Sequence, residues 1–306
     1  MAWFETLDRK IADYLPDLKY VEDEPMAKHI SFRVGGAAKR MAFPENAEQL
    51  VLLMNFALSC GARALVIGNG TNLLVPDEGL DRLVIDVSDG MTRIADGGQA
   101  NEITAQCGAS LARIAEYARK KGLSGLEFAH GIPGTLGGAV CMNAGAYGGE
   151  IKDVVASVTL LDPEAGIRTL KGEEMQFSYR RSLLSEHPEY VVLSATFRLE
   201  RGDSETIGAR MRELMAKRKA SQPLEFPSAG STFKRPVGYY AGPLIEGCGL
   251  KGCRVGGAEV STKHAGFIVN TGGATCADVL ALIEKVQKTV YDARGVMLEP
   301  EVKIVR

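Results

Sequence analysis

The stretch at 131–150, GIPGTLGGAVCMNAGAYGGE, holds seven glycines in twenty residues and neither lysine nor arginine. Glycine loses more conformational freedom on folding than any other residue, so such a run weakens local structure unless bare backbone is needed there. The usual need is close approach by something large, such as a phosphate held by N–H groups. A second loop, GNGTN at 68–72, ends the apolar run ALVI. Gly68, Asn69, Gly70, Thr71 and Asn72 offer consecutive N–H groups beside small polar side chains, and such a nest binds an anion without lysine. In the longer loop Pro133 stands where a helix can start, so the first N–H groups of that helix would also face a phosphate. Two nests suit a pyrophosphate held between two lobes. Tight turns in a packed protein would use the same glycines, and composition alone does not separate the two readings.

Other chemistries are excluded more firmly. A P-loop needs G-x-x-x-x-G-K-[ST], and neither cluster has that lysine. The dinucleotide fingerprint joins a strand to a helix, whereas GNGTNL runs into another strand. The four histidines (His29, His130, His187, His264) lie far apart and no two cysteines form C-x-x-C, so no metal site is visible. The six cysteines read as buried thiols of a reducing compartment. A formal charge of −2 gives no reason to expect nucleic acid or a membrane surface as partner. The longest apolar run, LVLLMNFAL, falls far short of the ~20 residues that span a bilayer, and MAWFETLDRK lacks the pattern of a signal peptide. A cytoplasmic protein is expected, with a monomer as the default.

The elements that must position these loops alternate between helical and extended patterns. Strands are expected at 38–44, 64–68, 101–108, 154–162 and 189–200, with two more between 69 and 88. Helices are expected at 45–61, closed by Gly61, at 110–122, capped by Ser110, and at 204–220. A Gly/Pro-rich segment at 222–257 precedes the strand GFIVNT and a helix at 275–295, where Thr275 and Asp278 resemble a capping box. A closing strand is expected over 296–305. With 306 residues the chain has room for more than one core, and the class is α+β in several domains.

Five segments, GNGTNLLV, GIPGTLGGAVCMNAGAYGGE, YRRS, PSAGSTFKRP and EPEVKIV, occur in the order seen in the UDP-N-acetylenolpyruvoylglucosamine reductase family, which the chain resembles from about residue 28 onward. The resemblance implies an α+β fold with two subdomains of the vanillyl-alcohol-oxidase (PCMH) type gripping FAD, and a C-terminal α+β substrate domain. The divisions would be 1–89 with 294–306, then 90–217, then 218–293. It implies noncovalent FAD, NADPH as electron donor and a UDP-sugar substrate of cytoplasmic peptidoglycan synthesis. Gly68, Asn69, Gly70, Thr71, Asn72, Gly131, Pro133, Gly134, Thr135, Gly137, Gly138 and Gly145 would lie along the cofactor, with Asn143 and Tyr147 as candidates for the flavin neighbourhood that could equally be structural.

The family's reaction reduces an enolpyruvyl double bond, so negative charge grows beside a carboxylate and a proton must arrive there. Arg180, in Tyr-Arg-x-Ser, matches the carboxylate-polarising arginine, whose donor fork suits a planar carboxylate; Arg181 is the confounding neighbour. Ser231 matches the proton donor, and Glu301 the glutamate that acts with the arginine, Glu299 being the nearby alternative. Without the family, these would read as a surface arginine and a turn serine. Lys219 matches a diphosphate-contacting lysine, although Lys217, Arg218 and Lys219 also suit a helix C-terminus. Lys234 and Arg235 would face substrate, Arg235 standing where many relatives have asparagine. The short spacing from Arg180 to Lys219 marks a compact subtype without an inserted tyrosine loop, which leaves Tyr239 and Tyr240 as candidates for closing the site. His130, next to the main glycine loop, reads as structural.

Overall fold

The computed structural model describes residues 2–305. Capping chemistry sets the helix ends. Ala47–Cys60 begins where the Asn46 side chain accepts from Gln49 N at 3.0 Å, and stops at Gly61, whose φ of +69° a residue with a Cβ seldom adopts. Leu111–Lys120 starts on the Ser110 hydroxyl. Cys276–Arg294 carries the full Thr275–Asp278 capping box and ends at Gly295, φ +66°. Asp77 adds a second carboxylate to that helix start, accepting from Cys276 N at 2.7 Å and Ala277 N at 3.0 Å.

The chain forms two compact units. The first comprises 1–22, 40–69 and 82–217. Its centre is an antiparallel five-stranded sheet in the order Gly166–Lys171, Val155–Asp162, Val191–Arg198, Glu102–Gln106, Ile94–Asp96. Val158 pairs with Ala195 and Ala195 with Ala105, so these inward residues stack on one face. Ile114, Ala115 and Ala118 of Leu111–Lys120 and Leu136, Ala139 and Val140 of the short helix Leu136–Cys141 belong to the same core. Residues 64–67 also run parallel to 83–86.

The second unit comprises 23–39, 70–81 and 218–306. It holds the sheet Arg254–Val255, Ala258–Val260, Ile268–Asn270, with Val279, Leu282, Ile283, Val286 and Val290 of Cys276–Arg294 buried. Lys303–Ile304 pairs in parallel with Leu73–Leu74, which ties the C-terminus to the segment that follows GNGTN.

Several elements differ from expectation. The closing strand is two residues long, because Pro300 lacks the N–H a ladder needs and contributes only a single bridge to Phe233. The helix Trp3–Tyr14 and the strands Lys19–Pro25 and Gly166–Lys171 were not anticipated, and the Gly/Pro-rich segment contains the helix Ala241–Gly247 and the strand Arg254–Val255. The cysteines are all unbridged, but only Cys107 and Cys276 are buried; Cys60, Cys141, Cys248 and Cys253 are half-buried. Burial pushes the Cys107 thiol up to about 12 and the Cys276 thiol up to about 11. No helix among the described residues is long and apolar enough to cross a membrane.

Candidate active site

Within the first unit, Gly68 and Asn69 at the start of the shorter glycine loop meet the longer one. Asn69 Nδ2 donates to the Pro133 carbonyl at 2.7 Å. Gly68 lies so close to Thr135 that a Cβ there would stand 2.0 Å from its Oγ1. The N–H groups of Gly68, Asn69, Gly70 and Thr71 donate to no acceptor among the described residues, and neither do those of Gly134, Thr135 and Gly138. Backbone donors are nearly always satisfied in folded proteins, by protein, water or ligand. A run of such donors on two loops pinned together is what the oxygens of a diphosphate would satisfy, so these residues fit that part of FAD.

Pro133 is not the first residue of the helix. Leu136–Cys141 starts three positions later with Thr135 at its N-cap, and the Gly137 N–H that a helix begun at Pro133 would direct to the Pro133 carbonyl donates to the Cys107 carbonyl at 2.8 Å instead. Asn72, the last residue of the shorter loop, turns its side chain elsewhere and donates Nδ2 to the Glu301 carbonyl at 3.1 Å.

The glycines of 131–150 serve two purposes. A Cβ on Gly137 would meet Cys107 at 3.2 Å, one on Gly145 the Gly149 carbonyl at 2.7 Å, and one on Gly149 the Phe128 ring at 2.5 Å. The protein's own packing therefore already requires small residues at these three positions. Gly138 has open space, its nearest neighbour being Thr135 Oγ1 at 3.9 Å. Tyr147 is 42% exposed with φ +54°. Asn143 is fully buried, its amide engaged with Glu150, Ser178 and Lys152. His130 presents a signal that the sequence did not: its Nδ1 is buried without a hydrogen-bond partner, immediately before Gly131.

Arg180 occupies a tight turn of the first unit. Ser178 and Arg181 exchange N–H···O bonds of 3.1 and 3.2 Å around it. Its φ is +56°, a left-handed conformation that costs a non-glycine residue of order 1–3 kcal/mol. The half-buried guanidinium donates Nη2 to the Gly145 carbonyl at 3.3 Å and lies 5.2 Å from the Tyr179 ring. Arg181 is exposed and pairs with Glu186 at 3.3 Å, an environment different from that of Arg180.

Ser231 and Glu301, seventy residues apart, are brought together in the second unit. Thr232, only 1% exposed, accepts at its carbonyl from Glu301 N at 2.7 Å. Thr232 N donates to the Gly266 carbonyl at 2.8 Å, and its Oγ1 accepts from Ile268 N at 3.0 Å. This buried threonine fixes the backbone on one side of Ser231 and next to Glu301. Lys234 N donates to the Glu299 carbonyl at 2.8 Å and its ammonium pairs with the Glu299 carboxylate. Glu299 is thus occupied by Lys234. Arg235 stacks over Tyr240 at 3.9 Å, while Tyr239 is 50% exposed.

Of the three basic residues at the end of Ser204–Ser221, Lys217 pairs with Glu213 at 2.6 Å and Arg218 donates to Gln222 at 3.1 Å. Lys219 is exposed, and its ammonium has no partner among the described residues. No group of three or more metal-ligating side chains occurs among the described residues.

Comparison with known proteins gives two family matches. Residues 222–305 match the C-terminal domain of UDP-N-acetylenolpyruvoylglucosamine reductase, and residues 38–171 match an FAD binding domain. The chain is 50% identical over 301 residues to the UDP-N-acetylenolpyruvoylglucosamine reductase of Caldanaerobacter subterraneus subsp. tengcongensis, covering 98% of each. It is 49% identical to the protein of that name from Agathobacter rectalis, again over 98% of each. Among solved structures, UDP-N-acetylenolpyruvylglucosamine reductase from Thermus caldophilus superposes with a TM-score of 0.79 at 35% identity, over 94% of this chain and 99% of that one.

Proposed function

The chain belongs to the UDP-N-acetylenolpyruvoylglucosamine reductase family, and from that premise we propose that it reduces the enolpyruvyl ether of UDP-N-acetylglucosamine to UDP-N-acetylmuramate with electrons from NADPH. It is an oxidoreductase with an FAD-binding domain of the expected α+β type. Its place is the cytoplasmic synthesis of peptidoglycan precursors, as a monomer. FAD, when bound, supplies the hydride that adds to the terminal carbon of the double bond.

The remaining work falls to the protein. The N–H groups of 68–71 and of Gly134, Thr135 and Gly138, which donate to no acceptor among the described residues, would hold the FAD diphosphate without a covalent link. Gly145 and Tyr147 would border the flavin. Arg180 and Glu301 polarise the substrate carboxylate, where charge develops as the hydride adds. Ser231 delivers the proton to the adjacent carbon. A serine hydroxyl is a weak acid, so its contribution comes from position beside a strongly basic carbon. Lys219 contacts the UDP diphosphate, a role supported by an ammonium that has no partner among the described residues, and Lys234 and Arg235 line the substrate. The division into 1–89 with 294–306, 90–217 and 218–293 belongs to the same proposal.

The observation that supports this reading is the bond from Glu301 N to the Thr232 carbonyl, which ties the backbone next to Ser231 to that of Glu301 from a distant part of the chain. The test is an anaerobic spectrum of the FAD-loaded protein. NADPH should bleach the flavin band, and the UDP-linked enolpyruvyl ether should restore it. Bleaching without return would reject the substrate, and no bleaching would reject the electron donor.

A further inference from the structure

We propose that Asn143 is a positioning residue that holds the Arg180 turn in its left-handed conformation; the inference rests on the reading of Arg180 as the carboxylate-polarising group. Ser178 to Arg181 form a two-residue turn in which Arg180 takes the third place. A positive φ at that place is normally supplied by glycine or asparagine. An arginine keeps it only where the surroundings over-determine the turn. They do so at three points. The Ser178 carbonyl, already bonded to Arg181 N, accepts a second bond from Asn143 Nδ2 at 3.0 Å. Ser182 Oγ donates to the Cys141 carbonyl at 2.8 Å, and Arg180 Nη2 donates to the Gly145 carbonyl at 3.3 Å. The segment 141–145 therefore grips the turn on both sides of Arg180.

The amide of Asn143 is itself fixed. Its second Nδ2 hydrogen goes to Glu150 Oε2 at 2.8 Å, and its Oδ1 accepts from Lys152 N at 3.0 Å. A flipped amide would set oxygen against the Ser178 carbonyl and the Glu150 carboxylate, so only one orientation works. Asn143 has φ +45° and is fully buried. Asparagine is among the few residues with a Cβ that adopt this backbone readily, and it alone also brings two donors to this spot. With both amide hydrogens committed inside the protein, the side chain acts on the turn and not on a cofactor.

The test separates the backbone requirement from the amide. Asn143→Gly accepts the positive φ while deleting all three side-chain bonds. In anaerobic stopped flow the FAD-loaded variant should be bleached by NADPH within about twofold of the native rate, because Arg180 has no part in that step. Re-oxidation by the enolpyruvyl nucleotide should slow by on the order of tenfold to a hundredfold, the size of effect a small misplacement of a catalytic group produces. Arg180→Lys should show the same split, and adding Asn143→Gly to it should cost no more than about threefold further, since both act through one group. Re-oxidation near the native rate in Asn143→Gly, or losses that multiply in the double variant, would overturn the inference while leaving the role of Arg180 intact. Native re-oxidation in Arg180→Lys would instead sink the underlying reading, and the inference with it. If Asn143→Gly sheds its flavin, Ser182→Ala decides. It removes an independent tie on the same turn and should show the same split on a smaller scale, so native re-oxidation there would also overturn the proposal.

Discussion

Replacing Gly68 by alanine isolates the contact on which the cofactor cradle depends. Gly68 is not among the residues with positive φ, so an alanine meets no backbone strain and only the steric effect remains. Its Cβ would stand 2.0 Å from Thr135 Oγ1, 2.8 Å from Cγ2 and 2.9 Å from Cβ. Real Cβ contacts below 3.0 Å are essentially unknown, so the two loops must part by about 1 Å. Thr135 is 3% exposed and has nowhere to retreat. Overpacking of this kind typically costs about 1–3 kcal/mol. If the strain is relieved by opening the cradle, FAD binding weakens by roughly 5- to 150-fold, the factor equivalent to that energy. Titrating the apoprotein with FAD by flavin fluorescence measures it directly. Thr135→Ala supplies the control, since it removes the two shortest contacts and Thr135 makes no side-chain cap bond to its helix. Alone it should bind FAD almost as the native protein does, and in Gly68→Ala it should restore a large part of the lost affinity. Native FAD affinity in Gly68→Ala, or no recovery in the double variant, would refute the argument that the loops are held at contact distance.

Other variants probe separate parts of the site. Asn69→Ala removes the bond to the Pro133 carbonyl, a loss of about 1 kcal/mol that should appear as a roughly fivefold weaker FAD affinity in the same titration. Ser231→Ala should leave bleaching by NADPH unchanged and slow re-oxidation by substrate about 10²- to 10⁴-fold; equal loss in both half-reactions would remove Ser231 from the role of acid. Asp162 is held down to about 2, first by the Glu164 N–H, then by the Ala165 N–H and Arg168. A depressed carboxylate stabilises the fold above its ordinary value of 3.8 and loses that contribution as pH falls through about 2. The stability gap between native protein and Asp162→Asn should therefore be constant near neutrality and shrink between those two values in acid-unfolding curves; a gap unchanged down to pH 2 would contradict it.

Local chemistry explains which parts of the molecule a sequence reading reaches. Gly61, Ser110 and the Thr275–Asp278 pair act on backbone within four residues of themselves, so their meaning survives without a fold. Gly166–Lys171 escapes because five of its six residues are exposed and leave no apolar alternation to read. Trp3–Tyr14 buries only Leu7 and Ile11 deeply, too thin a stripe to stand out beside the questions its N-terminal position raises. The site divides in the same way. The glycine loops stand out by composition, whereas Arg180, Ser231 and Glu301 are singled out through the family resemblance, since on their own the first two read as a surface arginine and a turn serine. The contacts that hold them in place are not legible. Asn69 with Pro133, Asn72 with Glu301 and Asn143 with Ser178 are bonds across 64, 229 and 35 positions, and no local pattern encodes any of them. Glycine is the most ambiguous letter of all, since absence of a side chain serves a ligand and a neighbouring strand equally. Gly138 faces open space while Gly149 lies against Phe128, and eleven positions of one glycine-rich run separate the two. The asparagines resolve what the glycines leave open: each of these three donates its amide to a backbone carbonyl, tying the loop that carries it to the Pro133 loop, to Glu301 or to the Arg180 turn. Freeing the Ser178 carbonyl would loosen the Arg180 turn and leave the glycine cradle in place, whereas freeing the Pro133 carbonyl would unpin the cradle itself.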